Sequence, residues 1–494
     1  MRNDKTDILV VGAGNAALTG ALSAAESGMD VMVLEKASKE ERGGNTVFTG
    51  GVFRHAHNGK PDIKKLVDGL SKDEWNQIEI GEFPPQALYE EVMKITGGKA
   101  DPALTKSWTE ASFDTAFWMK KTLGLKFTFN DVFTLKDMGG KKFRGPGVLM
   151  FEGKGVGLAN GLFAKCDQLD NVTVRYDTPV TGLEVESNRI KGVKVNVNGS
   201  TESIKAKAVI LGSGGFESSM ELRKKYMGAN FAKIKVRGTR HNTGETLVAA
   251  MNVGADVNGD FSDCHATQID ARSPDFGKIE LTDKTARYSW MFGVLVNKDG
   301  KRFVDEGQDF GDLLYAKLGK TIIREPDSVA YQIFDEKAVP LLEKRYSSWP
   351  PIMADSVEEI ASKVEVNLLN LKTTLEEYNK HIKEIGTFDP GIKDGLRTNG
   401  LAIEKTNWAQ KIDKLPYTVY PVTGGITFTF GGLKVDTNAR VLNKASKPIE
   451  GLFATGEITG GFFYNNYPGG SGLVRGAVFG KIAGVEATKY IKSH

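Results

Sequence analysis

The chain has 494 residues, 40% of them hydrophobic and 26% charged, with a formal net charge of +3. That length suits a large core and more than one domain, while so small a charge does not point to nucleic acid. Cys166 and Cys264 are too few and too far apart for a Cys-rich metal or iron–sulfur site or a disulfide scaffold, and no stretch approaches the roughly 18 apolar residues of a membrane span.

The first strand is expected at residue 8, which leaves no room for a signal peptide, so the expectation is a soluble, cytoplasmic protein. Ile8, Leu9, Val10 and Val11 form an apolar run short enough to be a buried parallel strand. Gly12, Gly14 and Ala17 then give a G-x-G-x-x-A turn, residues 17–27 read as a helix rich in small side chains, and a second apolar run, 31–34, ends in Glu35. The glycines let the backbone turn sharply and approach a pyrophosphate seated on the N–H groups of the helix start. Glu35, about twenty residues on, is placed to accept hydrogen bonds from a ribose. The turn alone is a weak signal; the complete order of strand, turn, helix, strand and acid is specific to dinucleotide binding.

Gly43, Gly44, Asn45 and Thr46, followed by Gly50 and Gly51, suit a backbone laid flat against a planar ring, where a Cβ would collide. Arg54, His55 and His57 come next; with no acidic or Cys partner near the histidines, a metal site is not expected. Residues 85–95 and 104–122 carry helical periodicity, the second with Trp108, Phe113, Phe117 and Trp118 as core. Residues 153–161 imitate a second dinucleotide turn, but without a preceding apolar strand or a following acid, so no nicotinamide-binding unit is expected. Val180 opens a hairpin over 180–185 and 190–197, and 208–211 is a buried strand running into Gly212, Ser213 and Gly214, which can return to the cofactor phosphates. Residues 241–245 open a helix through Met251, with Thr243 and Glu245 in capping roles beside Gly244.

From Asp256 the texture changes to short strands and charged helices, the longest over 356–385. After Trp408 the Gly-rich style of the first part returns, ending in a Gly/Ala-rich helix to Tyr490. The predicted fold is α/β: a Rossmann-like FAD-binding domain of the glutathione-reductase type (1–255 and 409–494), interrupted by an α+β capping domain (256–408), with the active site expected in the cleft between them.

Residues 12–35, 43–46, 211–215, 243–244, 297–306 and 454–457 resemble the fumarate reductase/succinate dehydrogenase flavoprotein superfamily over nearly the whole chain. Residues 315–317, 395–401, 406–409 and 426–432 look most like its tricarballylate dehydrogenase branch. The resemblance implies FAD held by Gly12, Gly14, Asn15 and Ala16, with Glu35 and Lys36 at the adenosine ribose. Gly43, Gly44, Asn45, Thr46, Gly50 and Gly51 would line the ring, Val180, Gly212, Ser213, Gly214, Thr243 and Gly244 would complete the site, and Glu457, Gly472 and Leu473 would close it. Some members tether FAD through a histidine in the segment that here reads Gly44, Asn45 and Thr46; without one, the flavin is expected to be non-covalent.

Departures from the superfamily pattern are as informative. Phe310 stands where fumarate reductases place a proton-donating arginine, Phe428 where they place a carboxylate-binding histidine, and Tyr467 where they place an arginine. Losing two charged anchors would cost a small dicarboxylate several kcal/mol, at roughly 1.5–3 per charge-assisted hydrogen bond, so fumarate itself is disfavoured. Tyr467, Tyr315 and Arg287 are the candidate acid/base groups, and His265, Arg54 and Thr429 the candidate substrate contacts. The implied chemistry is hydride transfer between a substrate C–H and flavin N5 coupled to proton transfer, making or reducing an alkene. A polycarboxylate such as tricarballylate is the leading substrate; a bulkier ketone such as a 3-ketosteroid, or a flavoprotein component of a larger assembly, are the alternatives. With no haem or iron–sulfur ligands, electrons are expected to pass to a separate acceptor, a redox protein or a quinone.

Overall fold

β1 (Lys5–Val11) is buried over its last four residues and turns at Gly12 into α1 (Asn15–Glu26), which leads back to the fully buried β2 (Val31–Leu34). β1 pairs in parallel with β2, as a crossover helix between neighbouring strands requires. This unit opens a computed structural model that describes residues 5–130, 134–138, 141–144, 147–383 and 386–494. The chain forms two units: residues 1–227, 238–264 and 428–494 make the first, residues 228–237 and 265–427 the second. The sequence reading put the edges of the inserted domain at 256 and 408.

In the first unit, β2 is followed in the sheet by β3 (Val172–Arg175), parallel to it. On the other side of β1 lies β6 (Ser200–Leu211), also parallel, reached through the hairpin of β4 (Val180–Glu186) and β5 (Arg189–Val197). β7 (Arg440–Leu442) and β8 (Pro448–Ala454) complete an eight-stranded sheet of order β7-β8-β5-β6-β1-β2-β3, with β4 paired to β5 and β8 also paired in parallel with β6. The carboxyl ends of β1, β6 and β8 therefore lie side by side, each running into a glycine-containing turn: Gly12, Gly212 and Gly456.

The chain closes with α2 (Ser471–Ser493), which packs along α1. The Gly/Ala composition of both helices is explained by their approach: a Cβ at Gly480 would lie 2.4 Å from the Ala16 carbonyl oxygen, and one at Gly484 2.5 Å from that of Gly20. Only residues without side chains let two backbones come this close.

The second unit is built on a six-stranded sheet centred on the strand Tyr417–Thr429, whose last two residues belong to the first unit. It pairs antiparallel with Val329–Phe334 and Ile352–Ala354 and parallel with Lys235–Val236. Its core includes Val294, Val296, Ile333, Leu371, Leu375, Tyr378 and Val419.

Three details differ from expectation. The helix expected over 356–385 is two, Val357–Val364 and Leu368–Lys380. Glu365 sits between them in the left-handed region at φ +54°, and the Asn367 side chain caps the second by accepting from Asn370 N at 2.9 Å; Ile385 lies outside the described residues. A strand, Leu149–Phe151, does precede the glycines at 153–161, but it pairs antiparallel with Phe127–Phe129 outside the main sheet, so no second dinucleotide unit forms. Finally, the helix Glu245–Asn252 is capped by Gly244 at φ +81°, with no side-chain cap. Thr243 and Glu245 instead hold Lys36, whose Nζ donates to Glu245 Oε1 at 2.7 Å.

Candidate active site

The first unit carries a bare-backbone cradle. Gly12 has φ +95°, and a Cβ there would lie 2.6 Å from the carbonyl oxygen of Gly212. Gly51 has φ +75°, and its Cβ would lie 2.6 Å from the Cα of Lys154. The ends of β1 and β6 can meet only because both turns lack side chains. α1 starts at Gly14 with no side-chain cap and no acid in its first turn, so its leading N–H groups are left for an anion. Asn15 fixes this corner: its N–H donates to Thr46 Oγ1 at 2.8 Å and its Nδ2 to the Leu473 carbonyl at 2.9 Å. Asn15 Oδ1 is buried without a protein partner.

Glu35 lies at the carboxyl end of β2, buried, accepting from Ala37 N at 2.8 Å, and burial raises its pKa above the usual carboxylate range. Lys36 is held by the Thr243–Glu245 corner. Gly43 and Gly44, both at positive φ, start the 3-10 turn Gly44–Phe48 that carries Asn45 and Thr46. Gly50 has open space around its α-carbon, Val180 is buried at the head of β4, and Gly214 is forced to be glycine by the Asn242 amide, 2.4 Å from a built Cβ. Ser213 is half-buried between Gly212 and Gly214, and Gly472 stands 3.8 Å, measured from a built Cβ, from the Tyr467 ring. The expected cofactor residues thus gather around one glycine-lined region, and an elongated dinucleotide with an anionic middle fits their chemistry.

A group absent from the sequence reading lies beside it. Glu217 is fully buried, and its Oε1 accepts from both Asn45 Nδ2 and Asn242 Nδ2 at 2.7 Å. Both amides also reach Glu457 Oε2 at 3.4 Å, and Glu457 Oε1 accepts from Thr429 N at 2.9 Å. Two carboxyl groups therefore share one buried network. Desolvation, followed by the neighbouring Glu457, pushes Glu217 well above the usual carboxylate range; desolvation also raises Glu457. The only sequence signal for Glu217 was an acid two residues after Gly215, the last of the glycines that follow β6.

Nearby in the same unit, Phe428 packs edge-on against Tyr467 (5.1 Å between centroids), Phe430 (5.6 Å) and Phe463 (6.2 Å). Arg54 does not fit the role of a substrate contact. It is 2% exposed, its Nε donates to the Gly469 carbonyl at 2.7 Å and its Nη1 to Glu91 at 2.9 Å. Those bonds brace the glycine turn after Tyr467. His55 and His57 are buried, and burial lowers both to about 4, so they are neutral. Among the described residues, no group of three or more His, Cys, Asp or Glu could hold a metal ion.

The second unit brings together His265, Tyr315 and Tyr288: the His265 ring meets Tyr315 edge-on at 5.0 Å, and Tyr315 lies 5.2 Å from Tyr288. Arg345 stacks over Tyr288 at 4.7 Å. Arg237 Nη2 and Arg345 Nη1 both bond Asp283 Oδ1 at 3.1 Å. Arg237 is nine-tenths buried, and its Nε is a buried donor without an acceptor. Glu343 is the other carboxyl bonded to Arg345, at 3.0 Å, and burial raises its pKa. Burial, and then the Arg237 charge, hold His265 well below the usual histidine range.

Arg287 stands apart from the proton-delivery role expected of it. It is fully buried, paired with Asp270 at 3.0 Å, and donates to the carbonyls of Ala286 and Arg345 at 2.9 and 3.1 Å. Tyr346 and Tyr420 flank it at 5.1 and 5.6 Å. Phe310, where an arginine was missed, packs on Trp408 at 5.5 Å.

The family described as "FAD binding domain" matches residues 7–474. Among curated proteins the chain is 28% identical over 503 residues to "Fumarate reductase (cytochrome)" of Shewanella frigidimarina, spanning 100% of this chain and 78% of that one. It is 26% identical over 507 residues to "Urocanate reductase" of Eggerthella lenta, spanning 97% and 74%. Its fold matches 3-ketosteroid delta1-dehydrogenase of Sterolibacterium denitrificans with a TM-score of 0.75 at 20% identity, covering 99% of this chain and 100% of that one. The chain is an FAD-dependent oxidoreductase of carbon–carbon bonds that belongs to the FAD binding domain family.

Proposed function

We propose that this oxidoreductase acts on a substrate bearing a carboxylate, and that Arg237 anchors that anion. The observation carrying this reading is the buried, partnerless Nε of Arg237, in a cluster where Arg237 and Arg345 share the Asp283 carboxylate. A buried N–H left unpaired costs about 1–3 kcal/mol, and a ligand carboxylate recovers that cost through a charge-assisted bond. Tyr315 and His265 lie in the same cluster and are the residues proposed to orient the substrate and exchange its proton. Tyr467 and Thr429 are retained as candidate acid/base and contact residues on the first unit. FAD, when bound without a covalent tether, supplies the two-electron step, and its electrons go to a separate redox protein or quinone.

Within carboxylates, a polycarboxylate such as tricarballylate remains the reading drawn from the sequence resemblance. A ketone such as a 3-ketosteroid is the second reading, favoured by the aromatic contact of Phe428 with Tyr467 where a dicarboxylate enzyme would carry charges.

Spectral titration of the oxidised enzyme separates them. Saturated carboxylic acids, tricarballylate included, are expected to bleach the flavin, and Arg237→Leu to weaken their binding by about 10- to 150-fold, the equivalent of one charge-assisted bond. Arg237→Lys is expected to recover only part of it, because an ammonium cannot reproduce the planar fork. Bleaching by a 3-ketosteroid but by no carboxylate would overturn the reading.

A further inference from the structure

We propose that Glu217 and Glu457 hold a single proton between them, and that Glu217 is a positioning residue which keeps the flavin-binding turn at Gly44–Phe48 closed only while that proton is present. The inference goes beyond FAD binding itself and rests on it.

The geometry is asymmetric in an informative way. Glu217 Oε1 accepts two amide hydrogens, from Asn45 and Asn242, as a carbonyl-like oxygen does. Glu217 Oε2 is buried and receives no donor at all. An ionised carboxylate carries acceptor sites on both oxygens, whereas a carboxylic acid has one acceptor oxygen and one that donates. Glu217 therefore matches the acid, with Oε2 as the protonated oxygen and Glu457 as the acceptor; the raised titration of both groups agrees. The network has no slack: a Cβ at Gly215 would lie 2.3 Å from Glu457 Oε1, and one at Gly238 2.3 Å from Asn45 Oδ1.

Two buried guanidinium groups act on the pair, one on each carboxyl. Arg475 of α2 is buried and interacts with Glu457; its own Nη1 is bonded to Thr459. Arg223 donates to the backbone carbonyl of Glu217 and its charge acts on the same residue. Asn45, Asn242 and Thr429 are neutral. Removing the shared proton would place two like charges in a water-excluded network, where repulsion is strong. The pair would separate, and Asn45 would be pulled with it. Asn45 holds its turn from both ends of its amide, giving Nδ2 to Glu217 and receiving Thr239 N on Oδ1 at 3.0 Å, so its displacement would open the turn that carries Gly44 and Thr46.

The test is the affinity of the refolded or deflavinated enzyme for FAD, read by quenching of free flavin fluorescence across pH. For the wild type the dissociation constant is expected to rise at least about tenfold as pH is raised from neutral into the alkaline range, in step with loss of the shared proton. Glu217→Gln supplies an N–H in place of the acid O–H and keeps the acceptor for both asparagines, so its affinity is expected to stay within about threefold over the same range. An identical alkaline loss in Glu217→Gln and wild type would overturn the proposal, as would a wild-type profile that stays flat. Should Glu217→Gln fail to fold, infrared spectroscopy of the wild-type holoenzyme decides. A protonated-carboxyl band that disappears as FAD is released supports the proposal, and the lack of such a band at neutral pH overturns it. Protein that binds no FAD at any pH would instead refute the cofactor assignment, a separate outcome.

Discussion

Phe428 and Tyr467 meet edge to face, with ring centroids 5.1 Å apart and planes at 89°. These are the two positions where the superfamily resemblance leads one to expect a histidine and an arginine, and they are neighbours in space although 39 residues separate them in the sequence. The two departures are therefore one change: a charged pair exchanged for an aromatic pair. Edge-to-face pairs add roughly 0.5–1.5 kcal/mol to the area they bury, so the exchange also stiffens the turn that Arg54 braces from below.

Tyr467→Phe keeps that packing and removes only the hydroxyl. If the hydroxyl transfers a proton to substrate, kcat is expected to fall about 10²- to 10⁴-fold while FAD affinity and thermal stability stay unchanged. Stopped-flow measurement of flavin reduction gives the rate directly. A rate within about twofold of wild type would leave Tyr315 as the tyrosine to test next by the same substitution.

Acid should destabilise the protein well above the carboxylate range. His55 and His57 are buried and neutral, with folded values of about 4, whereas in the unfolded chain each titrates near about 6.5. As pH falls through that value the unfolded state takes up protons that the folded state refuses, so folding stability drops and keeps dropping until about pH 4. At about pH 5 each histidine costs about 2 kcal/mol, from about 1.5 pH intervals at about 1.4 kcal/mol each. His265 adds a third contribution of the same sign in the second unit. Urea titrations at about pH 7 and about pH 5 should show the loss, and replacing His55 and His57 together by glutamine should remove most of the part belonging to the first unit.

The helix pair α1–α2 offers a test that separates stability from cofactor binding. Gly480→Ala pushes a methyl group against the Ala16 carbonyl, and Gly484→Ala against that of Gly20. Overpacking of this kind costs typically about 1–3 kcal/mol, so both variants should melt lower than wild type. Ala16 belongs to the first turn of α1, next to Asn15 and the glycines expected to hold FAD, whereas Gly20 lies a turn further along. Gly480→Ala is therefore expected to lose FAD more readily at equal stability, as measured by flavin released at a fixed fraction of the melting temperature.

The sequence made the cofactor legible and left the substrate side largely hidden, for a physical reason. Gly12, Gly14 and Glu35 stand at a fixed strand–turn–helix–strand spacing, so a dinucleotide-binding protein can be read from local order alone. Glu217, Asn242 and Arg237 have no such spacing. Glu217 meets Glu457 from a position 240 residues away, and Arg237 finds Asp283 and Arg345 from three separate segments. Charge type in a sequence also does not reveal commitment. Arg54 and Arg287 were expected to face substrate, yet both are bound by partners that local spacing does not single out, Glu91 and Gly469 for one, Asp270 and Arg345 for the other. The break at Glu365 was hidden for a different reason, because a charged residue in a left-handed turn leaves the helical hydrophobic pattern on either side intact.

Arg287 is where the sequence expectation and the structure part most clearly, and the difference is measurable. Its guanidinium loses most of its hydration on burial, which lowers its pKa, and Asp270 is the carboxylate that restores the balance. Asp270 has a second cation, since Arg272 bonds it through Nε and Nη2, both at 2.7 Å. The two halves of the pair are therefore unequal. Arg287→Met leaves Asp270 still paired with Arg272 and fills the space between Tyr346 and Tyr420 with an apolar chain, so a loss of about 1–2 kcal/mol is expected. Asp270→Asn strands Arg287 without a counter-charge in a fully buried site, and breaking a buried pair in that way costs about 3–5 kcal/mol. The order of the two melting temperatures, with Asp270→Asn the lower, is the signature of a structural brace. A proton-delivery residue would give the opposite emphasis, with Arg287→Met folding normally and losing flavin reduction by orders of magnitude; stopped-flow reduction at a temperature where both variants are folded decides between them.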